Sequence, residues 1–125
     1  MEYSSEVVRR FDSPEGAGEL PRSTPGLVSG EAEDRTLQVW IRFQLQVTDD
    51  VIHCARFRVF GCPHTIAAAS RVAEWLSGRR IESARGLDVG ALRAELDMPV
   101  EKLGKLLRIE DALAQCFAEL EHRDV

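Results

Sequence analysis

The order of patterns along the chain predicts an α+β fold, with a block of strands followed by a block of helices. Two observations carry this. From Leu37 to Val47, and again from Ala55 to Val59, apolar residues alternate with polar ones at a period of two. From Ile66 onward they recur at three and four: Ile66, Ala69, Val72, Ala73 and Leu76, then Val100, Leu103, Leu106, Leu107, Leu113, Phe117 and Leu120. The expected architecture is an antiparallel sheet of about three strands, covered on one face by helices, with a long C-terminal helix. A length of 125 residues suits one domain around one core, spanning 1–125.

The elements follow in order. Ser4 or Ser5 caps a short helix over Glu6 to Phe11, which ends before Ser13-Pro14 and carries an apolar stripe of Val7, Val8 and Phe11. Residues 12–34 are rich in Gly, Pro, Ser and acidic residues and read as a long irregular loop, with a short strand around Gly26 to Ser29. Thr36 to Val47 is the clearest strand. Leu37, Val39, Ile41, Phe43, Leu45 and Val47 share one face, and Gln38, Trp40, Arg42, Gln44 and Gln46 the other. Thr48-Asp49-Asp50 turns the chain, and Val51 to Phe60 returns as the second arm of a hairpin. Arg42, Arg56, Arg58, the glutamines and Cys54 are expected on a solvated outer face.

Gly61 ends that strand. Cys62 falls at a helix N-cap and Pro63 at the first helical position, where its missing N–H costs nothing. Gly78 stops the helix. Ile81 to Ala84 makes a short helical turn, Asp88 caps Val89 to Glu95, and Pro99 opens the last helix. Gly104 inside that helix costs about 1 kcal/mol relative to Ala.

A net charge of −5 argues against a general nucleic-acid binder. No apolar run approaches the roughly 18 residues of a membrane span, and the first residues, MEYSSEVVRRF, lack an apolar signal region. The expectation is a cytoplasmic protein with reduced cysteines. Cys54, Cys62 and Cys116 form no C-x-x-C pair, so neither a zinc knuckle nor a thioredoxin-like motif is indicated. Cys62 stands apart from the other two. At the positive end of a helix the dipole and free N–H groups favour thiolate over thiol, as a ligand or nucleophile requires. The alternative is a small buried residue at a turn.

These residues bring a family into view. Tyr3-Ser4, Val7, Pro14, Gly18, Ala55-Arg56-Phe57, Gly61-Cys62, the small-residue run Ile66 to Ser70, Glu74-Trp75, Gly78, Pro99, Lys102 and Glu110-Asp111-Ala112 together resemble the IscU/NifU N-terminal family of iron–sulfur cluster assembly scaffolds, nearly end to end. The resemblance implies a transient [2Fe–2S] cluster held by three cysteines, with an aspartate and a histidine nearby. It also implies a cysteine desulfurase and an Hsp70-type chaperone as partners. Thiolates are soft ligands for iron and can carry sulfur as persulfides.

Cys62 matches the middle cysteine of that set. Leu37 stands where the first cysteine belongs and Val39 where the aspartate belongs. Gly104 and Lys105 take the places of the histidine–cysteine pair. The family's chaperone motif is met loosely by Met98, Pro99, Val100, Glu101 and Lys102. Cys116 lies about 16 Å beyond Lys105 at the helical rise, and Cys54 on the preceding strand. His64 and His53 are the substitute ligands on offer. His64 is expected to be an exposed first-turn histidine, with ligation as its alternative role.

Three functions follow. The first is a scaffold-like protein of the cluster-assembly pathway that accepts sulfur or binds iron or a cluster weakly at Cys62, alone or across a homodimer. The second is a metal-free interaction or regulatory module that keeps the docking surfaces. The third, ranked last, is a thiol enzyme with His64 or Lys105 activating Cys62. A non-enzymatic role is expected.

Overall fold

The computed structural model describes residues 3–123 and has the α+β architecture read from the sequence. Strands β1 (Leu27–Asp34), β2 (Val39–Thr48) and β3 (Val51–Phe60) form one antiparallel sheet in the order β1-β2-β3. Helices α1 (Ser5–Asp12), α2 (Pro63–Leu76), α3 (Ile81–Ala84), α4 (Val89–Glu95) and α5 (Leu103–Arg123) surround it, the last entered through a 3-10 turn at Val100–Lys102. α2 packs on β3, α5 crosses β1 and β2, and α1 lies against α2.

The β2–β3 hairpin is the part the alternation dictates. Val39, Ile41, Phe43, Leu45 and Val47 are all buried. Asp49 and Asp50 both take positive φ, at 53° and 62°, as a two-residue turn matched to strand twist demands. A bulge follows: Gln46 faces Cys54 but Val47 faces Ile52, leaving His53 as the extra residue. The bulge reverses the parity, so Ile52 is buried along with Ala55 and Phe57.

The expected loop over 12–34 is corrected. Only 13–26 is irregular; Leu27–Asp34 is a full strand paired along its length with β2. Its pattern is one of size rather than polarity. Val28, Gly30 and Ala32 face inward while Glu31 and Glu33 face out. A Cβ at Gly30 would stand 2.2 Å from the Ala112 carbonyl oxygen and 2.7 Å from the Cys116 nitrogen, so the α5 backbone lies directly on this strand. Close approach of two backbones removes the large β-branched residues that mark a strand in sequence. The irregular stretch is tied down as well. Gly16 O accepts from Phe57 N–H and Gly18 N–H donates to Phe57 O, both at 2.9 Å, closing part of the free edge of β3.

Three narrower expectations are corrected. β2 begins at Val39 rather than Thr36, because Leu37 N–H bonds Asp34 Oδ1 at 3.0 Å and Gln38 takes φ 56°, making a tight turn. In α1, Ser4 is the cap and Val7 is buried, but Val8 and Phe11 are exposed. Their place is taken by Arg10, only 3% exposed, which donates to Glu6, to Ser70 Oγ and to Glu74. The helix shows α2 one narrow line, and the aliphatic stem of Arg10 fills it. In the last helix Val100 and Leu107 are exposed while Leu106, Ile109, Leu113, Cys116 and Phe117 enter the core. The 3-10 turn at 100–102 changes the angular step, so Val100 falls out of phase with α5.

Candidate functional site

At the end of β3 the chain turns through Gly61 into α2, and Cys62 is the N-cap, with extended φ −81° and ψ 166°. Its carbonyl accepts the first helical bond, from Ile66 N–H at 3.1 Å. The side chain makes no cap bond; Sγ instead lies 3.5 Å from Thr65 Oγ1, and the residue is half-buried. Burial pushes its thiol up. The hydroxyl and backbone bonds from Thr65, with the charges of Lys105 and Lys102, outweigh this and hold it below the ordinary thiol value. The thiolate is therefore reached more easily than at an ordinary cysteine, in the direction the helix position predicts.

Val39 borders the turn into Cys62, and Leu37 lies against Gly104. Val39 Cγ2 and the Thr65 side chain are each 3.5 Å from where a Cβ at Gly61 would stand, and Leu37 Cδ1 is 3.5 Å from where one at Gly104 would stand. The site is one thiol among carbon side chains, with two ammonium groups acting on it. Lys102 and Thr65 are contributors that sequence reasoning did not assign here. A hydroxyl three residues after the cap was the signal for Thr65.

His64 is corrected from an exposed residue to a buried one, 1% exposed. Its ring lies 4.7 Å from that of Tyr3, and Nδ1 has no partner. Burial lowers its pKa, Lys102 and Lys105 lower it further, and Glu101 opposes them, so the neutral ring is favoured over the cation. Ligation by it requires surrounding residues to move.

Cys54 sits on the outer sheet face opposite Gln46, as expected from its parity, and His53 at the bulge. Cys116 is in the core with Sγ donating to Phe43 O at 3.5 Å, and burial pushes its thiol up to about 12. Alkylation of native protein at pH 7.5 should therefore modify the half-buried Cys62 more than about 100-fold faster than the buried Cys116, with the difference vanishing in denaturant. Equal native rates would overturn this assignment.

The chaperone-like segment divides. Met98 is buried, and its carbonyl accepts from Arg93 at 2.6 Å; Val100 and Glu101 project to solvent. Beyond Gly61, Phe60 is 80% exposed opposite Trp40, and the two border an open groove of about 730 Å³ that also takes in Gln38 and Val39. Among the described residues no three His, Cys, Asp or Glu side chains converge as a metal site, and no helix is long and apolar enough to cross a membrane. A [2Fe–2S] cluster takes four ligands, mainly thiolates. One chain, with one thiol here, does not fit it.

Comparison with known proteins agrees with this fold. The model of the NifU-like N terminal domain matches residues 2–125. The iron-sulfur cluster assembly scaffold protein IscU of Rickettsia prowazekii (strain Madrid E) is 30% identical over 124 residues, covering 98% of this chain and 95% of that protein. The scaffold protein of the same name from Escherichia coli (strain K12) is 27% identical over 124 residues, covering 98% and 97%. Among solved structures, a nitrogen-fixing NifU-like protein (N-terminal) from Brucella abortus superposes with a TM-score of 0.72 at 17% identity, covering 95% of this chain and 94% of that one.

Proposed function

This chain belongs to the NifU-like N-terminal domain family, and on that premise we propose that it is a scaffold-like protein of iron–sulfur cluster assembly that takes up sulfur on Cys62. The observation that carries the reading is the single activated thiol. Cys62 is half-buried with lowered pKa, while Leu37, Val39, Gly104 and Lys105 stand where the resemblance implies the other ligands. Carbon, hydrogen and ammonium groups cannot ligate iron, and a cation beside the thiol repels it. The same cation favours a sulfur anion.

The chemistry is group transfer. The Cys62 thiolate attacks the outer sulfur of a persulfide on a donor protein. A new S–S bond forms at Cys62, the donor's S–S bond breaks, and the donor sulfur leaves as thiolate. The donor that resemblance implies is a cysteine desulfurase, and the exposed Phe60 with the half-buried Trp40 opposite it offer it an apolar platform beside the site. Iron or a [2Fe–2S] cluster is then cargo bound weakly, completed by a second chain or by thiols from outside. The protein carries rather than turns over, as a single domain over 1–125 working in the cytoplasm. An Hsp70-type chaperone would read the Met98–Lys102 segment through Val100 and Glu101.

The missing ligands also favour a second reading, a metal-free module that binds assembly proteins without carrying sulfur. One experiment separates the two. Iron, acid-labile sulfide and persulfide are measured on protein purified without air and incubated with a cysteine desulfurase and cysteine, wild type beside Cys62→Ser. Sulfur uptake lost in Cys62→Ser is expected. Absence of both sulfur and iron from wild type would overturn the carrier reading and leave the module.

A further inference from the structure

Thr65 is a polar residue with no exposure to solvent. It stands in the first turn of α2, three residues after the Cys62 cap. Among the described residues its hydroxyl has one hydrogen-bond partner, Cys62 Sγ, at 3.5 Å. A buried hydroxyl left without a partner is costly, so this group is committed to the sulfur. Its place is fixed as well. A Cβ at Gly61 would stand 3.5 Å from Thr65 Cβ, 3.6 Å from Thr65 Oγ1 and 3.5 Å from Val39 Cγ2, so the side chain is packed against the turn and β2. A β-branched side chain is stiff at χ1, and this packing leaves it little room to swing away.

Loading Cys62 with sulfur changes what that hydroxyl meets. In the thiolate, Sγ carries the negative charge and accepts from the Thr65 O–H. In the persulfide, Sγ is bonded to carbon and to sulfur, is uncharged and accepts only weakly. The charge has moved to the outer sulfur, about 2.05 Å further on. A hydrogen bond fades over such a distance. The attraction of Lys102 and Lys105, which act on Cys62 by charge alone, falls off far more slowly. Thr65 therefore tells the two states apart where the lysines do not.

We propose that Thr65 is the positioning residue that makes Cys62 a releasing carrier: its hydroxyl favours the empty thiolate over the loaded persulfide and stabilises Cys62 as the leaving group when sulfur moves on. This role rests on the reading of Cys62 as a sulfur carrier. In release, an acceptor nucleophile attacks the outer sulfur. The S–S bond to Sγ breaks, and its electron pair stays on Sγ as thiolate. Charge grows on Sγ through the transition state, and the bond from Thr65 strengthens with it. A better-stabilised leaving thiolate departs faster.

The test uses the full chain carrying Cys54→Ser, which leaves Cys62 as the one cysteine outside the core. Inorganic trisulfide loads it: the thiolate takes an end sulfur and disulfide ion leaves. Cyanide unloads it: cyanide attacks the outer sulfur, carries it off as thiocyanate, and Cys62 departs as thiolate. The rate of thiocyanate formation is the readout. Thr65→Val keeps the branched shape and the backbone N–H but lacks the hydroxyl, and unloading should slow about threefold or more. Thr65→Ala should slow it likewise. Thr65→Ser keeps the hydroxyl and should stay within about twofold of the parent. Parent rates in folded Thr65→Val and Thr65→Ala would overturn this role. So would Thr65→Ser as slow as Thr65→Val, which would make packing the cause. Chemical loading needs no donor protein. Failure of a cysteine desulfurase to load wild type therefore removes the carrier reading, while the cyanide rates still decide what Thr65 does. A parent that trisulfide does not load would overturn both.

Discussion

Gly30→Val is expected to lower the stability of this protein by about 3 kcal/mol or more, at the upper end of what overpacking costs. The first added carbon alone would stand 2.2 Å from the Ala112 carbonyl oxygen, 2.7 Å from the Cys116 nitrogen and 2.7 Å from the Gln115 Cβ. Two of those three neighbours are helix backbone, which cannot rotate aside as a side chain can. Relief requires α5 to lift from β1, and α5 also packs on β2 and supplies Leu106, Ile109, Leu113 and Phe117 to the core. The backbone at this residue has ordinary negative φ, so the effect is contact and not conformational strain. Urea titration followed by far-UV circular dichroism measures it. A loss below about 1 kcal/mol would mean that α5 does not rest on the strand as described.

Rebuilding the ligand set should produce the largest functional change. Leu37→Cys with Lys105→Cys is expected to convert a chain that holds little or no iron after anaerobic reconstitution into one that binds a [2Fe–2S] cluster, with a gain of at least about tenfold in iron and sulfide per chain. The positions adjoin one another in pairs. Leu37 reaches the space beside Gly104, Lys105 acts on Cys62 through its charge, and Val39 borders the turn that leads into Cys62. Two thiols are gained, and one of the two cations that repel Fe²⁺ is lost, Lys102 remaining. Adding Val39→Asp and Gly104→His completes the pattern the family resemblance implies. A folded variant that stays free of iron would show that the backbone of this site has drifted along with its side chains. Cys62→Ser in the rebuilt background should abolish the gain.

What could be read from the sequence was whatever local chemistry decides alone. The β2–β3 hairpin was legible because each strand is buried on one face, so the alternation of Val39 to Val47 follows directly from the pleat. The α2 entry was legible because Gly61, Cys62 and Pro63 each have a conformational reason to stand where they do. Asp88 announced α4 through its own cap bonds, to Gly90 and Ala91 N–H at 2.9 and 3.1 Å. The family resemblance drew on residues from Tyr3 to Ala112, with the thiol at the strand-to-helix corner among them.

Tertiary structure decided the rest, and in each case a distant element overrode a local signal. β1 was hidden because its inward residues are chosen to fit a helix backbone, and small residues carry no strand signature. Arg10 replaced Val8 and Phe11 inside because Ser70 and Glu74, some 60 residues away in α2, satisfy its guanidinium. His64 went under because Tyr3 covers it. Val100 and Leu107 stayed outside because burial depends on the phase of α5 against the sheet, which the apolar stripe defines only to within a helical step. The low pKa of Cys62 has both origins. The cap position is local, whereas the charges of Lys102 and Lys105 arrive from the far end of the chain, where they join the thiol only once α5 has settled on β1 and β2.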